Sequence, residues 1–200
     1  MAAPSTTTRP APPRFWNVPN TLSVGRLVLG LLVCGLISAG FYLTALALFT
    51  LAAISDALDG YLARLLKQET AIGRQLDPLV DKLVVCAALI FLLPLPPEAT
   101  GLMPWMVATI VIRELIVQAL RSLIEGRGQP FGAKMAGKLK TTFQCLAICT
   151  ILFVLSLAEP VSALSWLRDG FLWVAIGLTI YSGFGYLVLA WPTLKGERPS

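Results

Sequence analysis

The sequence predicts an all-α integral membrane protein with six transmembrane helices, and its composition and length are the first grounds for this prediction. Hydrophobic residues make up 56% of the 200 residues, charged residues make up 14%, and the mean hydropathy is +0.75. A soluble domain of this size lacks the interior to bury so much apolar sequence. Each span needs roughly 20 apolar residues, so about six helices would occupy most of the chain.

Proline and glycine divide the apolar sequence into six segments. We predict helices at residues 20–39, 41–66, 76–95, 102–123, 139–158 and 165–191. Together they form one predicted transmembrane domain, residues 14–194, with no internal repeat and no second domain. The Ala-, Pro- and Thr-rich residues 1–13 are predicted to be a disordered tail, and residues 195–200 a short C-terminal tail.

The distribution of positive charge predicts the topology. Only Arg168 of the 16 lysines and arginines falls in a connection that this arrangement places outside. Because cytoplasmic loops carry an excess of Lys and Arg, both termini are predicted to be cytoplasmic. That orientation requires an even number of spans, in agreement with six helices.

The absence of histidine and the placement of the cysteines limit the chemistry that this chain can perform. The chain has no histidine, the commonest general base and metal ligand. Its four cysteines lie in apolar stretches and form no CxxC pair, which argues against a disulfide or a zinc site. Acid–base and metal chemistry must therefore depend on carboxylates.

Four aspartates lie at or near the facing ends of the second and third predicted helices. Asp56 and Asp59 are three residues apart and Asp77 and Asp81 are four apart, so each pair shares one helix face. Converging carboxylates repel one another, and a divalent cation removes that repulsion. Oxygen ligands without His or Cys favour Mg²⁺ or Mn²⁺, ions that commonly serve phosphate chemistry. The alternative, structural paired charge, needs more nearby cations than the sequence offers.

Small residues accompany the aspartates. Gly60 and Ala63 lie within about a turn of Asp59 and would let a bulky ligand approach the backbone closely. Arg64 could bind a phosphate or the edge of a base. Helix–helix packing remains an alternative explanation for the glycine and the alanine taken alone.

The pattern DxxDGxxAR, eight residues, GxxxDxxxD over residues 56–81 resembles the signature of the CDP-alcohol phosphatidyltransferase family. All eight fixed positions match. The resemblance implies six transmembrane helices, two metal ions, a homodimer and CDP-diacylglycerol as a substrate. It also implies that Asp56, Asp59 and Asp77 bind metal, and that Asp81 is the general base as well as a metal ligand.

The resemblance also implies a binding site for CDP-diacylglycerol. The stretch NVPNTLS at residues 17–23 is similar to the family's PNxLT element, with Ser23 where threonine is usual. The residues expected to contact or shape the nucleotide are Asn20, Thr21, Gly60, Ala63, Arg64, Thr70 and Gly73.

Two further elements resemble those of family members whose acceptor is glycerol 3-phosphate. One is the stretch IRELI at residues 112–116, continuing to Arg121, which is similar to their IxRE element; the other is GKxKT, here Gly137–Thr141. The residues expected to hold the acceptor phosphate are Arg113, Arg121, Lys138 and Lys140. The lysines, together with Lys134, could instead contact anionic lipid as a positive-inside cluster.

The expected reaction is transfer of a phosphatidyl group from CDP-diacylglycerol to sn-glycerol 3-phosphate, with release of CMP. The expected location is a bacterial inner membrane with the active site facing the cytoplasm, and no nucleic-acid partner is expected. One alternative is another acceptor: inositol phosphate, serine or phosphatidylglycerol. A second is a transporter in which the aspartates carry ions, although the sequence has no paired broken helices of the kind transporters show.

Overall fold

The computed structural model describes residues 18–66, 73–126, 135–159 and 161–194, and within these ranges it is all-helical without strands. The helices are α1 (Val18–Ser38), α2 (Tyr42–Leu66), α3 (Gly73–Leu92), α4 (Pro97–Thr100), α5 (Pro104–Gly126), α6 (Met135–Ser156) and α7 (Ser162–Leu194). Each predicted apolar segment coincides with one long helix, with ends that differ by no more than four residues. The one-turn helix α4 was not predicted; it lies in a connection expected to be a loop.

Short connections make successive long helices antiparallel. Gly40 turns the chain between α1 and α2 with a φ of 79°, a left-handed conformation that glycine adopts without steric cost. At this turn the Phe41 N–H donates to the Leu36 carbonyl at 2.9 Å and so satisfies one end of α1. We call the end of the bundle where α2 ends and α3 begins the proximal end, and the opposite end the distal end.

The hydrophobic core draws on all six long helices. Helix α1 packs against α2 and α3, while α6 packs against α7 and α2. Fully buried side chains at the centre include Val33, Phe49, Leu89, Ile110, Ile148 and Leu172. A smaller cluster between α5 and α7 consists of Val117, Ile124, Tyr186 and Ala190. The core residues of α2 and α3 lie in the halves of these helices that are nearer the distal end.

Helices α1 and α3 approach each other closely at Gly30. A Cβ added at this glycine would lie 2.7 Å from Cγ2 of Val84. Valine is stiff at χ1 and cannot easily turn its methyl group aside. We expect Gly30→Ala to destabilise the protein by about 1–3 kcal/mol, the usual range for overpacking a core.

The test of this contact is the thermal unfolding midpoint of the purified protein in detergent. Gly35→Ala, on the same helix, is the matched control, because a Cβ there meets nothing within 4 Å. Adding Val84→Ala to Gly30→Ala should restore most of the lost stability. Equal midpoints for Gly30→Ala and Gly35→Ala would show that the contact does not limit packing.

Large apolar side chains cover much of the surface. On α7, Trp166, Tyr181 and Phe184 are 79%, 73% and 71% exposed. By length and hydropathy, two stretches could cross a membrane, Leu139–Ser156 and Ser162–Val188, within the part of the chain that the structure describes. Shorter apolar helical stretches occur in α1, α2 and α3. Exposed apolar surface on this scale is typical of a membrane or protein contact rather than of a water-facing surface.

Arg168, the one cation that the charge pattern places on the outer side, lies at the distal end and is buried. Its Nη1 donates to the carbonyls of Glu98 and Ala99 at 3.0 and 2.7 Å, and its Nε donates to Asp169 at 2.8 Å. These bonds satisfy carbonyls of α4 that its single turn leaves unpaired. Arg168 thus ties α4 to the start of α7, a structural role.

Candidate active site

The predicted signature lies on α2 and α3 as they approach and leave the proximal end. The structure describes helical backbone at Asp56 and Asp59 on α2 and at Asp77 and Asp81 on α3, but not their side chains. The helical spacing that the prediction requires is therefore present in both segments. Spacings of three and four residues place the members of each pair on one face of their helix.

The predicted nucleotide contacts fall partly inside the described residues. Gly60, Ala63 and Arg64 belong to the last turns of α2, and Gly73 begins α3. Asn20 and Thr21 lie in the first turn of α1, which packs against both α2 and α3. The side chains at all these positions lie outside the described part of the structure, and Thr70 lies outside it altogether.

The donor set of the signature fits a hard divalent cation. All four candidate ligands are carboxylates, and in this chain they have no histidine to compete with them. Mg²⁺ and Mn²⁺ prefer such oxygen donors. The helical backbone of α2 and α3 supplies the candidate ligands as two pairs rather than as isolated residues.

A cavity of about 410 Å³ adjoins the signature segments. It lies among α1, α2, α3 and α6, and its walls are mostly apolar, with Phe49, Ile54, Val84 and Leu146 among the lining residues. Ile54 precedes the first aspartate of the signature by two residues, and Val84 follows the last by three. The cavity could therefore take an apolar group attached to a ligand held at the aspartates.

Polar groups are confined to a few positions around this cavity. Arg26, which is 6% exposed, reaches it from α1, and Thr141 and Thr142 reach it from the first half of α6. Pockets with apolar walls and a few well-placed polar groups are typical of ligand sites.

A buried ion cluster joins the middle of α5 to the proximal part of α6. The Nη1 of Arg113 donates to both carboxylate oxygens of Glu114, at 3.2 and 3.3 Å. The Nζ of Lys140 donates to the same carboxylate from α6. The three residues are 9%, 4% and 2% exposed, respectively. The sequence predicted Arg113 and Lys140 as acceptor ligands, and the structure brings these two side chains together around one carboxylate.

Helix α7 completes the surroundings of Arg113. Its Nη2 donates to Oγ of Ser182 at 2.8 Å, and its guanidinium lies 5.5 Å from the centre of the Tyr186 ring. The side chain passes so close to Gly183 that a Cβ there would lie 3.0 Å from its Cγ. Arg113 is therefore held in one orientation by contacts from two helices.

Two further hydrogen bonds extend the polar layer. Lys82, the residue after Asp81, donates to Oε1 of Gln118 at 2.7 Å and so joins α3 to α5. Gln144, one turn after Lys140, donates to Thr179 on α7 at 3.2 Å. The four long helices α3, α5, α6 and α7 are thus linked by polar side chains at one level of the bundle.

The other two predicted acceptor residues lie nearer the proximal end. Arg121 is on α5, about two turns beyond Arg113, and is partly buried. Lys138 is on the first turn of α6, with a side chain outside the described part of the structure. Arg121, Lys138 and Lys140 therefore lie in the proximal halves of α5 and α6, whereas Arg113 lies close to the middle of α5.

Sequence reasoning missed several members of this polar layer. Lys82 had a usable signal, because a lysine inside an apolar helix and next to an aspartate is unusual. Gln118 follows Glu114 by one turn and had a similar, weaker signal. Ser182 and Tyr186 had none, because their role depends on where α7 packs.

The helical architecture and the position of the signature define a class of protein, and comparison with known sequences establishes it. The model of the CDP-alcohol phosphatidyltransferase family matches residues 16–181 of the chain. This chain therefore belongs to the CDP-alcohol phosphatidyltransferase family.

Curated relatives narrow the class. A protein of Bacillus subtilis named CDP-diacylglycerol–glycerol-3-phosphate 3-phosphatidyltransferase is 40% identical over 77% of this chain and 77% of its own length. A Pseudomonas fluorescens protein of the same name is 39% identical over 90% of this chain and 93% of its own. A Mycobacterium tuberculosis protein named probable phosphatidylglycerophosphate synthase is 35% identical over 92% of this chain and 87% of its own length.

Proposed function

We propose that this protein transfers the phosphatidyl group of CDP-diacylglycerol to sn-glycerol 3-phosphate, which yields phosphatidylglycerophosphate and CMP. The observation that carries the proposal is the complete aspartate signature on the helical ends of α2 and α3. The names of relatives that align with most of the chain support the acceptor.

The proposed location is a bacterial inner membrane, which residues 14–194 cross six times with both termini in the cytoplasm. Many large apolar side chains are exposed, while charged residues such as Arg113, Glu114 and Lys140 are buried. This arrangement suits a lipid solvent, because intramembrane charges face the bundle interior and pair with one another. The cation-rich proximal end then faces the cytoplasm, where both water-soluble reactants are available. A homodimer is proposed from the family resemblance.

Four aspartates are proposed to hold two divalent ions, Mg²⁺ or Mn²⁺. The ligands are Asp56, Asp59, Asp77 and Asp81. When bound, the metal neutralises the pyrophosphate and stabilises charge on the departing phosphate oxygen. Arg64 adds a fixed positive charge for the nucleotide phosphates, and Gly60 and Ala63 leave room for the nucleotide. The adjoining apolar cavity supplies space for acyl chain close to the reacting phosphate.

The proposed chemical step is a single displacement at phosphorus. The acceptor hydroxyl oxygen bonds to the phosphorus that carries diacylglycerol, and the bond from this phosphorus to the bridging pyrophosphate oxygen breaks. CMP leaves with that oxygen and its electron pair. Asp81 takes the hydroxyl proton, which raises the nucleophilicity of the acceptor as the new bond forms.

The acceptor assignment depends on four cations of α5 and α6. Glycerol 3-phosphate brings a dianion, and a dianion leaving water needs fixed positive charge. Arg113, Arg121, Lys138 and Lys140 are proposed to supply it. Inositol phosphate would need similar charges, whereas serine and phosphatidylglycerol would not need so many.

The deciding experiment is CMP release by the purified protein with each acceptor in turn. We expect turnover with glycerol 3-phosphate and CDP-diacylglycerol, and none when the acceptor is omitted. Turnover with inositol phosphate, serine or phosphatidylglycerol instead would overturn the acceptor and leave the phosphatidyltransferase assignment standing. No CMP release with any alcohol would contradict both the acceptor assignment and the phosphatidyltransferase assignment, and would favour the transporter alternative.

A further inference from the structure

One carboxylate joins two cations from neighbouring helices in the buried ion cluster. Glu114 accepts from Arg113 beside it on α5 and from Lys140 on α6, 26 residues away in the chain. All three side chains are more than nine-tenths buried. Neither cation could take this position in an apolar interior without a partner.

The ion cluster carries one more positive charge than negative, and it has donors without a partner among the residues that the structure describes. Lys140 has three N–H donors, of which one is accounted for by Glu114. The Nε of Arg113 has no hydrogen-bond partner among the described residues. An anion with several oxygens would satisfy these donors and balance the excess charge.

The two cations differ in how firmly they are held. Arg113 is fixed by Ser182, by the ring of Tyr186 and by close contact with Gly183, in addition to Glu114. Lys140 has a flexible four-carbon stem, and its polar contact among the described residues is the carboxylate of Glu114. The carboxylate is thus what places the ammonium next to the guanidinium.

We propose that Glu114 is a positioning residue for the acceptor phosphate, which holds Arg113 and Lys140 at a spacing that a phosphate can bridge. The inference rests on the proposed function, because it describes how the acceptor site is built. Glu114 itself does not contact the acceptor, since two anions would repel. It acts through the two cations.

The direction in which one substitution changes the KM for glycerol 3-phosphate distinguishes positioning from simple charge balance. Glu114→Gln keeps the size of the side chain and removes its charge. If Glu114 positions the cations, the KM for glycerol 3-phosphate should rise about 10- to 100-fold, as expected for loss of a hydrogen bond to a charged group. The kcat and the KM for CDP-diacylglycerol should change by less than about threefold. A fall in the KM for glycerol 3-phosphate would mean that Glu114 only reduces the local positive charge, and would overturn the proposal.

Two further variants test whether the effect passes through the cations. Glu114→Asp keeps the charge and should raise the KM for glycerol 3-phosphate less than Glu114→Gln does. In a Lys140→Met background, Glu114→Gln should raise the KM for glycerol 3-phosphate by a smaller factor than it does alone. The reason is that part of its effect passes through the ammonium group that Lys140→Met has already removed. Full additivity of the two changes would contradict the proposal.

Gln144→Leu is the matched control for loss of a buried polar contact. It breaks a bond between α6 and α7 one turn from Lys140 and leaves the ion cluster intact. We expect both KM values to stay near those of the unchanged protein. If Gln144→Leu shifts the KM for glycerol 3-phosphate as strongly as Glu114→Gln, the role of Glu114 is structural only.

A binding measurement distinguishes failure of this inference from failure of the proposed function. Inorganic phosphate should raise the thermal midpoint of the unchanged protein, because a ligand that binds only the folded state stabilises it, and should raise that of Glu114→Gln much less. This result would support positioning even if glycerol 3-phosphate gave no CMP. Equal shifts in both proteins, or no shift in either, would overturn the inference whether or not the enzyme turns over.

Discussion

Each of the single substitutions Asp56→Asn, Asp59→Asn and Asp77→Asn should lower the rate of CMP release by at least about 10²–10³-fold. This is the effect typical of losing one electrostatic contact to a transition state. The amide keeps the shape of the side chain and removes the negative charge that binds a hard cation. Under the proposed function, each of these residues is a ligand of the same metal site. The loss should therefore be similar at all three positions.

Metal dependence and a distal control test this explanation. High Mn²⁺ should restore part of the activity of the asparagine variants, because a weakened site fills at higher metal concentration. Asp169→Asn is the matched control: its carboxylate is 43% exposed at the distal end, beside Arg168, and the change should leave turnover unaltered. Full activity of the unchanged protein after complete chelation of divalent metal would contradict the metal assignment.

Asp81→Asn should lower kcat about 10²–10⁴-fold while the affinity for CDP-diacylglycerol changes little. A positioned general base contributes a factor of this size to the rate. The base acts on the acceptor hydroxyl and not on the nucleotide lipid, so binding of the first substrate should not need it.

Single-turnover CMP release and equilibrium binding of CDP-diacylglycerol measure the two quantities separately. Mn²⁺ then separates the two roles proposed for Asp81, because added metal compensates for a lost ligand but not for a lost base. Recovery of most of the turnover at high Mn²⁺, or little loss at the outset, would mean that Asp81 is a ligand without a role in proton transfer.

The sequence alone predicted the six long helices and the residues of the signature. Both predictions rest on local properties. Apolar runs bounded by Pro and Gly set the helix limits, and the helical repeat sets which aspartates share a face. The helix limits were confirmed to within four residues. The metal and nucleotide roles of the signature residues remain predictions.

Arg113 and Lys140 were also predicted from the sequence, as two of four cations on two helices that bind the acceptor phosphate. The sequence did not predict how these two side chains contact each other. The structure places one carboxylate between them, and neither the pairing of Glu114 with Lys140 nor the bond from Arg113 to Ser182 follows from spacing.

Those contacts join residues 26 and 69 positions apart in the chain, on helices that meet only when the bundle packs. A helical repeat determines which side chains share a face, because it depends on backbone geometry within a few residues. Which faces meet depends on how ridges, small residues such as Gly183 and buried charges fit together across helices. The tertiary structure alone therefore decided that Glu114 lies between the two cations.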